Sequence, residues 1–297
     1  MPEAVAGRTE QEIQANADAA LERRRQRRYL VAALLRSPAF ISGLVIVVFW
    51  VLMALFSMHL TQSPFDVNPM STLQAPSSAH WAGTDDLGRD VLARTMAGAR
   101  TVLFIAPLAT ILALLWGGII GLITGFFRGL IDEVIMRLVD VLLSLPVVIT
   151  SILILSLLGS STAIVIVVIG VLFTPLVSRT VRSAVLRERE REYVMASRLR
   201  GERSWFVMVG EILPNITGPI IVEGTVRLGY AVFTAATLSF LGYGLQPPSP
   251  DWGLTIATER VFVQLAPWTV MFPAVALASL VVGVNLITDG LGRVLSK

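Results

Sequence analysis

The stretch VLFIAPLATILALLWGGIIGLITGFF, residues 102–127, indicates a helix that crosses a membrane. It carries no charged side chain and is long enough for the roughly 20 helical residues that cross about 30 Å of hydrocarbon. Further apolar runs predict spans at about residues 40–58, 138–158, 162–181, 215–241 and 268–288. The sequence therefore predicts an all-α polytopic membrane protein with about six transmembrane helices.

Composition excludes several classes of protein. Only 15% of the residues are charged and 54% are apolar, whereas soluble domains carry about 25% charged residues. The chain has no cysteine, which removes disulfides, thiolate ligands and cysteine nucleophiles. Two separate histidines, His59 and His80, argue against a histidine metal centre or a catalytic triad. The single lysine, Lys297, is the last residue, so a phosphate-binding loop with an internal lysine is excluded.

Residues 1–38 are polar and rich in arginine, and we interpret them as a solvated, partly helical tail. An amphipathic segment on anionic lipid is the alternative, but its apolar face is thin. The apolar run that follows is too long for the core of a cleavable signal peptide. We therefore expect the first span to be retained in the mature protein.

The distribution of arginine predicts the orientation of the chain. Arginines concentrate in the tail, in residues 127–137 and 182–214, and near the C-terminus. The alternate connections contain only Arg89, Arg94, Arg100 and Arg260. Because positive charge accumulates on the cytoplasmic side of spans, both termini are expected in the cytoplasm.

Gly117, Gly121 and Gly125 recur every four residues in the second span. Small residues on one helix face let two backbones approach closely in lipid. This stripe can serve packing within the chain or contact with a partner subunit, and the sequence leaves both open.

Segment 80–100 reads as an amphipathic helix on the outer interface. Thr84 can cap its N-terminus, with Asp85 and Asp86 in the first turn near the positive end of the helix dipole. A calcium site of Asp85, Asp86 and Asp90 is the alternative, which is disfavoured because calcium loops space their ligands along irregular backbone.

Residues 182–214 predict two short helices separated by a break. An alternating run of arginine and glutamate at 187–192 is followed by a helix that Gly201 can terminate. Ser204 can cap a second helix, which Pro214 closes. Apolar and basic side chains occur together here, as in a helix that rests on lipid or one that docks a cytoplasmic partner.

The pattern Ala196, Ser197, Gly201, Leu213 and Pro214 resembles the cytoplasmic E-A-A-x-x-x-G…L-P loop of ABC importer permeases. Met195 stands in place of the usual acidic residue, and Ser197 in place of the second alanine. The motifs GTDDLGRD at 83–90, LSFLG…QPP…WG within 238–253 and NL…DGL at 285–291 are similar to the C-type subunit of dipeptide, oligopeptide and nickel permeases.

This resemblance implies the type I importer fold in residues 39–297, with an outer segment at 59–100 and a coupling loop at 182–214. It implies a multi-pass protein of the bacterial inner membrane that forms half of a pathway for di- or oligopeptides. The expected partners are a second homologous permease, two ATPase subunits that bind ATP and magnesium, an extracytoplasmic peptide-binding protein and the bilayer. No nucleic acid, and no cofactor, metal or catalytic residue of this chain, is expected.

The resemblance also implies two groups of contact residues. The expected ATPase-docking residues are Tyr193, Met195, Ala196, Ser197, Arg198, Gly201, Trp205 and Pro214. The expected contacts for the binding protein are Asp85, Arg89, Asp90, Gln246, Pro247 and Trp252.

Glu223 and Arg227 lie four residues apart in the fifth predicted span and can pair on one helix face. We interpret them as an intramembrane structural pair rather than a substrate contact. A self-contained secondary transporter or channel is the rival hypothesis, and it predicts lining charges and often an inverted repeat. The sequence has few charged spans and no visible repeat. A membrane enzyme is disfavoured for lack of clustered catalytic groups. The cargo stays open between dipeptide, oligopeptide, nickel complex, glutathione and haem.

Overall fold

The computed structural model describes residues 32–60 and 63–295, so most of the predicted N-terminal tail lies outside the described residues. The described chain is helical, as predicted, and its β-pairing is limited to a bridge between Thr84 and Asp90. The helices are α1 Pro38–Leu60, α2 Val91–Phe127, α3 Leu130–Leu143, α4 Val147–Leu158, α5 Thr162–Glu188, α6 Glu192–Leu199, α7 Ser204–Asn215, α8 Thr217–Phe240, α9 Trp252–Glu259 and α10 Trp268–Leu295.

Four helices, α1, α2, α5 and α10, are long and apolar enough to cross a membrane. Two bent pairs bring the number of candidate spans to as many as six: α3 with α4, bent by 86°, and α7 with α8, bent by 68°. The third predicted span, at about residues 138–158, is therefore bent in the structure. Pro146 explains the bend between α3 and α4, because proline lacks the N–H that would continue a helix.

Among the described helices, α2 and α5 share the most extensive contact. A Cβ added to Gly117 would lie 2.6 Å from Val177 Cβ, and one added to Gly125 would lie 2.7 Å from Val185 Cβ. These approaches leave no room for a side chain on the glycine face of α2. The glycine stripe thus serves packing within the chain, one of the two uses that the sequence left open.

Helices α1 and α10 pack in the same manner. A Cβ on Gly43 would lie 2.5 Å from the carbonyl oxygen of Gly283. Trp50 on α1 donates its indole N–H to Ser279 Oγ on α10 at 2.9 Å. Helix α8 packs against α2, α5 and α10, so the long helices surround one apolar core. We call the end of this bundle that contains residues 189–215 the basic end.

Helix α9 crosses the opposite end of the bundle, and its Trp252 is fully buried there. The indole N–H donates to the carbonyl oxygen of Thr95 at 2.7 Å, and the ring meets Trp50 edge-on at 5.0 Å. Gly98 makes room for the Trp252 ring. Trp252 is consequently a core residue of the bundle.

The predicted amphipathic helix that begins after Thr84 is also wrong. Helix α2 begins at Val91, and Asp90 is its N-cap, accepting the N–H of Ala93 at 2.7 Å. Thr84 instead connects two segments of the loop ahead of α2. Its hydroxyl accepts a hydrogen bond from the N–H of Gln74 and donates one to the carbonyl oxygen of Ser71. Asp85 and Asp86 therefore lie in irregular backbone ahead of the helix.

Replacing Gly121 by alanine is expected to destabilise the bundle by about 1–3 kcal/mol. The new methyl group would meet the backbone of Ser178 and the Val181 side chain, both at 2.7 Å, and backbone cannot move aside. Gly118→Ala is the matched control, because a Cβ there meets nothing within 4 Å. The stability of both variants is measured as the thermal unfolding midpoint of the full-length protein in detergent. Equal midpoints for Gly121→Ala and Gly118→Ala would contradict this packing.

Candidate functional site

The basic end is built around a helical hairpin, residues 192–215, which we call the docking hairpin. It consists of α6, a tight turn and α7. Gly201 adopts a left-handed conformation with φ +76°. Its N–H donates a hydrogen bond to the carbonyl oxygen of Arg198, and the N–H of Glu202 donates to the carbonyl oxygen of Ser197. This pair of bonds is a Schellman motif, which ends a helix and favours glycine at the left-handed position.

The two arms of the docking hairpin pack through a small apolar contact. Val194 of α6 and Val207 and Ile212 of α7 are all fully buried. Ser197 is buried with them, and its hydroxyl accepts from the Arg200 guanidinium at 2.8 Å and donates to Glu211 Oε1 at 3.4 Å. The hairpin is therefore a folded unit rather than a loose loop.

Tyr193 joins three helices at the base of the hairpin. Its hydroxyl donates to Glu188 Oε1 at the end of α5 at 2.8 Å and accepts from Asn215 Nδ2 at the end of α7 at 3.1 Å. Burial, together with the hydrogen bond to Glu188, raises the pKa of Tyr193 to about 12. The phenol thus stays protonated and keeps this junction closed at any physiological pH.

Two arginines contact the end of α2: Arg189, in the connection between α5 and the hairpin, and Arg198, in the hairpin itself. Arg189 donates to the carbonyl oxygens of Gly125 at 3.3 Å and Phe126 at 2.7 Å, which the last turn of α2 leaves without helical partners. Arg198 of α6 lies over the Phe126 ring at 4.5 Å. The hairpin is thereby attached to both helices of the close α2–α5 pair.

Helix α3 is tied to α5 by two ion pairs at the same end. Arg182 forms a bidentate ion pair with Asp132, in which both N–O distances are 2.6 Å. Arg179 contacts Asp140 Oδ1 at 2.5 Å. Planar guanidinium–carboxylate pairs of this kind fix relative orientation as well as distance.

The outer surface of the docking hairpin combines apolar and basic side chains. Leu199 is 89% exposed and Trp205 is 61% exposed, and Met195 and Phe206 are also exposed. Contiguous exposed apolar side chains mark interaction surfaces, so together these residues form a surface suited to a partner. Sequence reasoning missed Leu199 and Phe206, although bulky apolar residues among arginines were the available signal.

The structure brings the predicted docking residues into this one hairpin but gives them different environments. Ala196, Arg198, Gly201 and Pro214 are exposed together with Met195 and Trp205, whereas Tyr193 is half-buried and Ser197 is buried. Pro214 lies inside the last turn of α7. The helix ends at Asn215 and the chain bends at Ile216, so the predicted end at Pro214 was wrong by about one residue.

Glu223 and Arg227 are in direct contact on α8, with Arg227 Nε 2.6 Å from Glu223 Oε1. The hydroxyl of Thr180 on α5 donates to Glu223 Oε2 at 3.0 Å. Both oxygens of this carboxylate therefore have partners, one from each of two packed helices.

At the end opposite the docking hairpin, most of the predicted contact residues are not at the surface. Asp85, Asp90 and Trp252 are buried, and Arg89 is mostly covered while it donates to Asp85 Oδ2 at 2.6 Å. A direct contact through Trp252 is thus excluded by its burial. Gln246 and Pro247 are exposed, in a loop that Pro248 shares.

These features define a membrane transport subunit: long apolar helices, a folded hairpin that presents a partner surface, and paired charges in the spans. The chain belongs to the family of binding-protein-dependent transport system inner membrane components, which matches residues 117–297. In this family the permease subunits are not enzymes, and ATP hydrolysis belongs to a separate subunit.

Individual relatives cover most of the chain. It is 41% identical over 84% of its length to the dipeptide transport system permease protein DppC of Alkalihalophilus pseudofirmus, 83% of which is covered. It is 34% identical over 85% of its length to the glutathione transport system permease protein GsiD of Pectobacterium atrosepticum, with 82% covered. The oligopeptide transport system permease protein OppC of Bacillus subtilis is 36% identical over 84% of the chain, with 82% covered.

Gly201→Ala is expected to loosen the docking hairpin by about 1 kcal/mol, because an L side chain is strained at this φ. The site is otherwise open, since a Cβ there meets nothing within 4 Å. Trypsin cleavage at the hairpin arginines should therefore accelerate about fivefold. Gly201→Asn should lose less hairpin stability than Gly201→Ala, because asparagine tolerates the left-handed region. Gly218→Ala, also in open space, is the control, and equal cleavage of Gly201→Ala and this control would contradict the assignment.

Proposed function

We propose that this chain forms half of the translocation pathway of an ATP-driven peptide importer, with the docking hairpin as the seat for a partner ATPase. The observation that carries the proposal is the exposed apolar surface of Leu199 and Trp205 on a hairpin that is itself firmly held. The family match and the named peptide transport relatives support the same function. ATP and magnesium would bind in the ATPase subunits.

The proposed orientation places the docking hairpin in the cytoplasm of a bacterial cell, with both termini on the same side of the inner membrane. Arginine enrichment at the basic end supports this orientation. Gln246 and Pro247 would then face outward, where the exposed loop offers a rigid surface for an extracytoplasmic peptide-binding protein.

In the proposed mechanism, the ATPases close on nucleotide and displace the docking hairpin. Arg198 and Tyr193 attach the hairpin to the ends of α2 and α5, and Arg189 joins those two ends, so the two helices would move together as a rigid body. The 68° bend between α7 and α8 would let α8 change its angle to that pair. A second, homologous permease would complete the pathway, which opens to each side in turn.

The rival hypothesis, a self-contained secondary transporter, needs an ionisable group free to exchange ions near the middle of a span. Glu223 does not meet this need, because Arg227 and Thr180 occupy both of its oxygens. Its contacts favour a structural role in the pathway wall.

Leu199→Glu is expected to weaken ATPase binding at least tenfold, because it places a charge in the centre of an apolar contact. The fold should be unaffected, since Leu199 is exposed. The measurement is the amount of ATPase that co-purifies from cells producing the assembled transporter, together with peptide uptake.

Leu87→Glu is the matched control, an identical change at an exposed leucine of the opposite end, and it should retain the ATPase. If Leu199→Glu kept both the ATPase and uptake at the level of the unmodified protein, the docking assignment would be lost.

A further inference from the structure

Glu259, the last residue of α9, has a buried carboxylate without a donor. Its side chain is only 1% exposed. No N–H or O–H of the described residues donates to either carboxylate oxygen. Burying a carboxylate without partners costs several kcal/mol, so a ligand for this group is expected.

Two further carboxylates converge on Glu259 from the loop ahead of α2. One oxygen each of Asp85, Asp86 and Glu259 lies within 4.8 Å of the other two. Oxygens that share a calcium ion at 2.3–2.6 Å lie up to about 5 Å apart. The spacing therefore matches ligands that point toward one common ion.

The nearby arginines do not supply the missing partner. Arg89 Nε contacts Asp85 Oδ2 at 2.6 Å, and its outer nitrogen is 3.5 Å from Asp86. Arg94 directs its terminal nitrogens to the carbonyl oxygens of Pro64 and Ser249, at 3.2 and 3.3 Å. Arg94 Nε also lies 3.6 Å from Asp85 Oδ2. Both guanidinium groups therefore pair with Asp85, and neither donates a hydrogen bond to Glu259.

The cluster is open to solvent on one side and held in place on another. The Asp86 side chain is 32% exposed, which leaves a route from solvent to the cluster. Asp85 is fixed in place, because its Oδ1 accepts the backbone N–H groups of Leu87 and Arg89.

We infer that Asp85, Asp86 and Glu259 form a binding site for a divalent cation that prefers oxygen ligands, Ca²⁺ or Mg²⁺. Glu259 and Asp86 are the principal ligands, one carboxylate oxygen of Asp85 lies within reach of the same ion, and water completes the shell. The ion joins the loop ahead of α2 to the end of α9 and so fixes the surface that contains both. The sequence raised a calcium site with Asp90 instead of Glu259, but Asp90 caps α2 and contacts His80 Nδ1 at 2.9 Å.

The test uses the full-length protein in detergent after treatment with a chelator. Calcium chloride or magnesium chloride is then added, and bound metal is counted by equilibrium dialysis with elemental analysis. One ion per chain is expected. The thermal unfolding midpoint should rise by about 5 °C at an ion concentration roughly 100 times the dissociation constant.

Glu259→Gln and the more accessible Asp86→Asn should each abolish the bound ion and the shift in unfolding midpoint. Asp66→Asn, which removes an exposed carboxylate of the same end, should retain both. The inference is overturned if neither ion binds at one per chain, or if Glu259→Gln binds as the unmodified protein does. It is also overturned if the ions shift no midpoint while Glu259→Gln raises it, which would mean that a proton satisfies the carboxylate. None of these readouts involves ATPase or peptide, so their failure leaves the proposed function untouched.

Discussion

The close contact of α2 with α5 is the constraint on which the rest of the structure depends. Lipid tails provide little hydrophobic drive between helices, so their association relies on near approach of two backbones. Gly117, Gly121 and Gly125 permit that approach along the whole second half of α2. Because both helices end at the basic end, their pairing fixes the position of Phe126 and Glu188 relative to one another.

That position determines where the docking hairpin lies. Arg198 of the hairpin lies over the Phe126 ring at the end of α2, and the Tyr193 hydroxyl donates to Glu188 in the last turn of α5. The hairpin is thus attached to the best-packed pair of helices rather than to a flexible connection. A displacement imposed on its exposed surface would be carried into two spans at once, which is what the proposed coupling to an ATPase requires.

The sequence predicted the helical class, most span positions and the break at Gly201, because hydropathy and a glycine after a helix act locally. It mistook the start of α2, since Thr84 and Asp90 are both good N-cap residues and only the tertiary fold selects Asp90. The burial of Trp252 depends on Thr95 and Trp50, which are distant in sequence. For the same reason Glu259 could not be connected with Asp85 and Asp86 before the structure was known.

The absence of natural cysteine allows the most direct test of the account, which is the side of the membrane that each surface faces. Single-cysteine variants Leu199→Cys, on the docking hairpin, and Leu87→Cys, at the opposite end, would be treated in intact cells with a membrane-impermeant maleimide. Both leucines are exposed in the isolated chain, so in cells that produce this subunit without its ATPase, access depends on the membrane alone. Labelling of Leu87→Cys only, with Leu199→Cys reacting after the cells are opened, is the predicted result. Labelling of Leu199→Cys from outside would contradict the account.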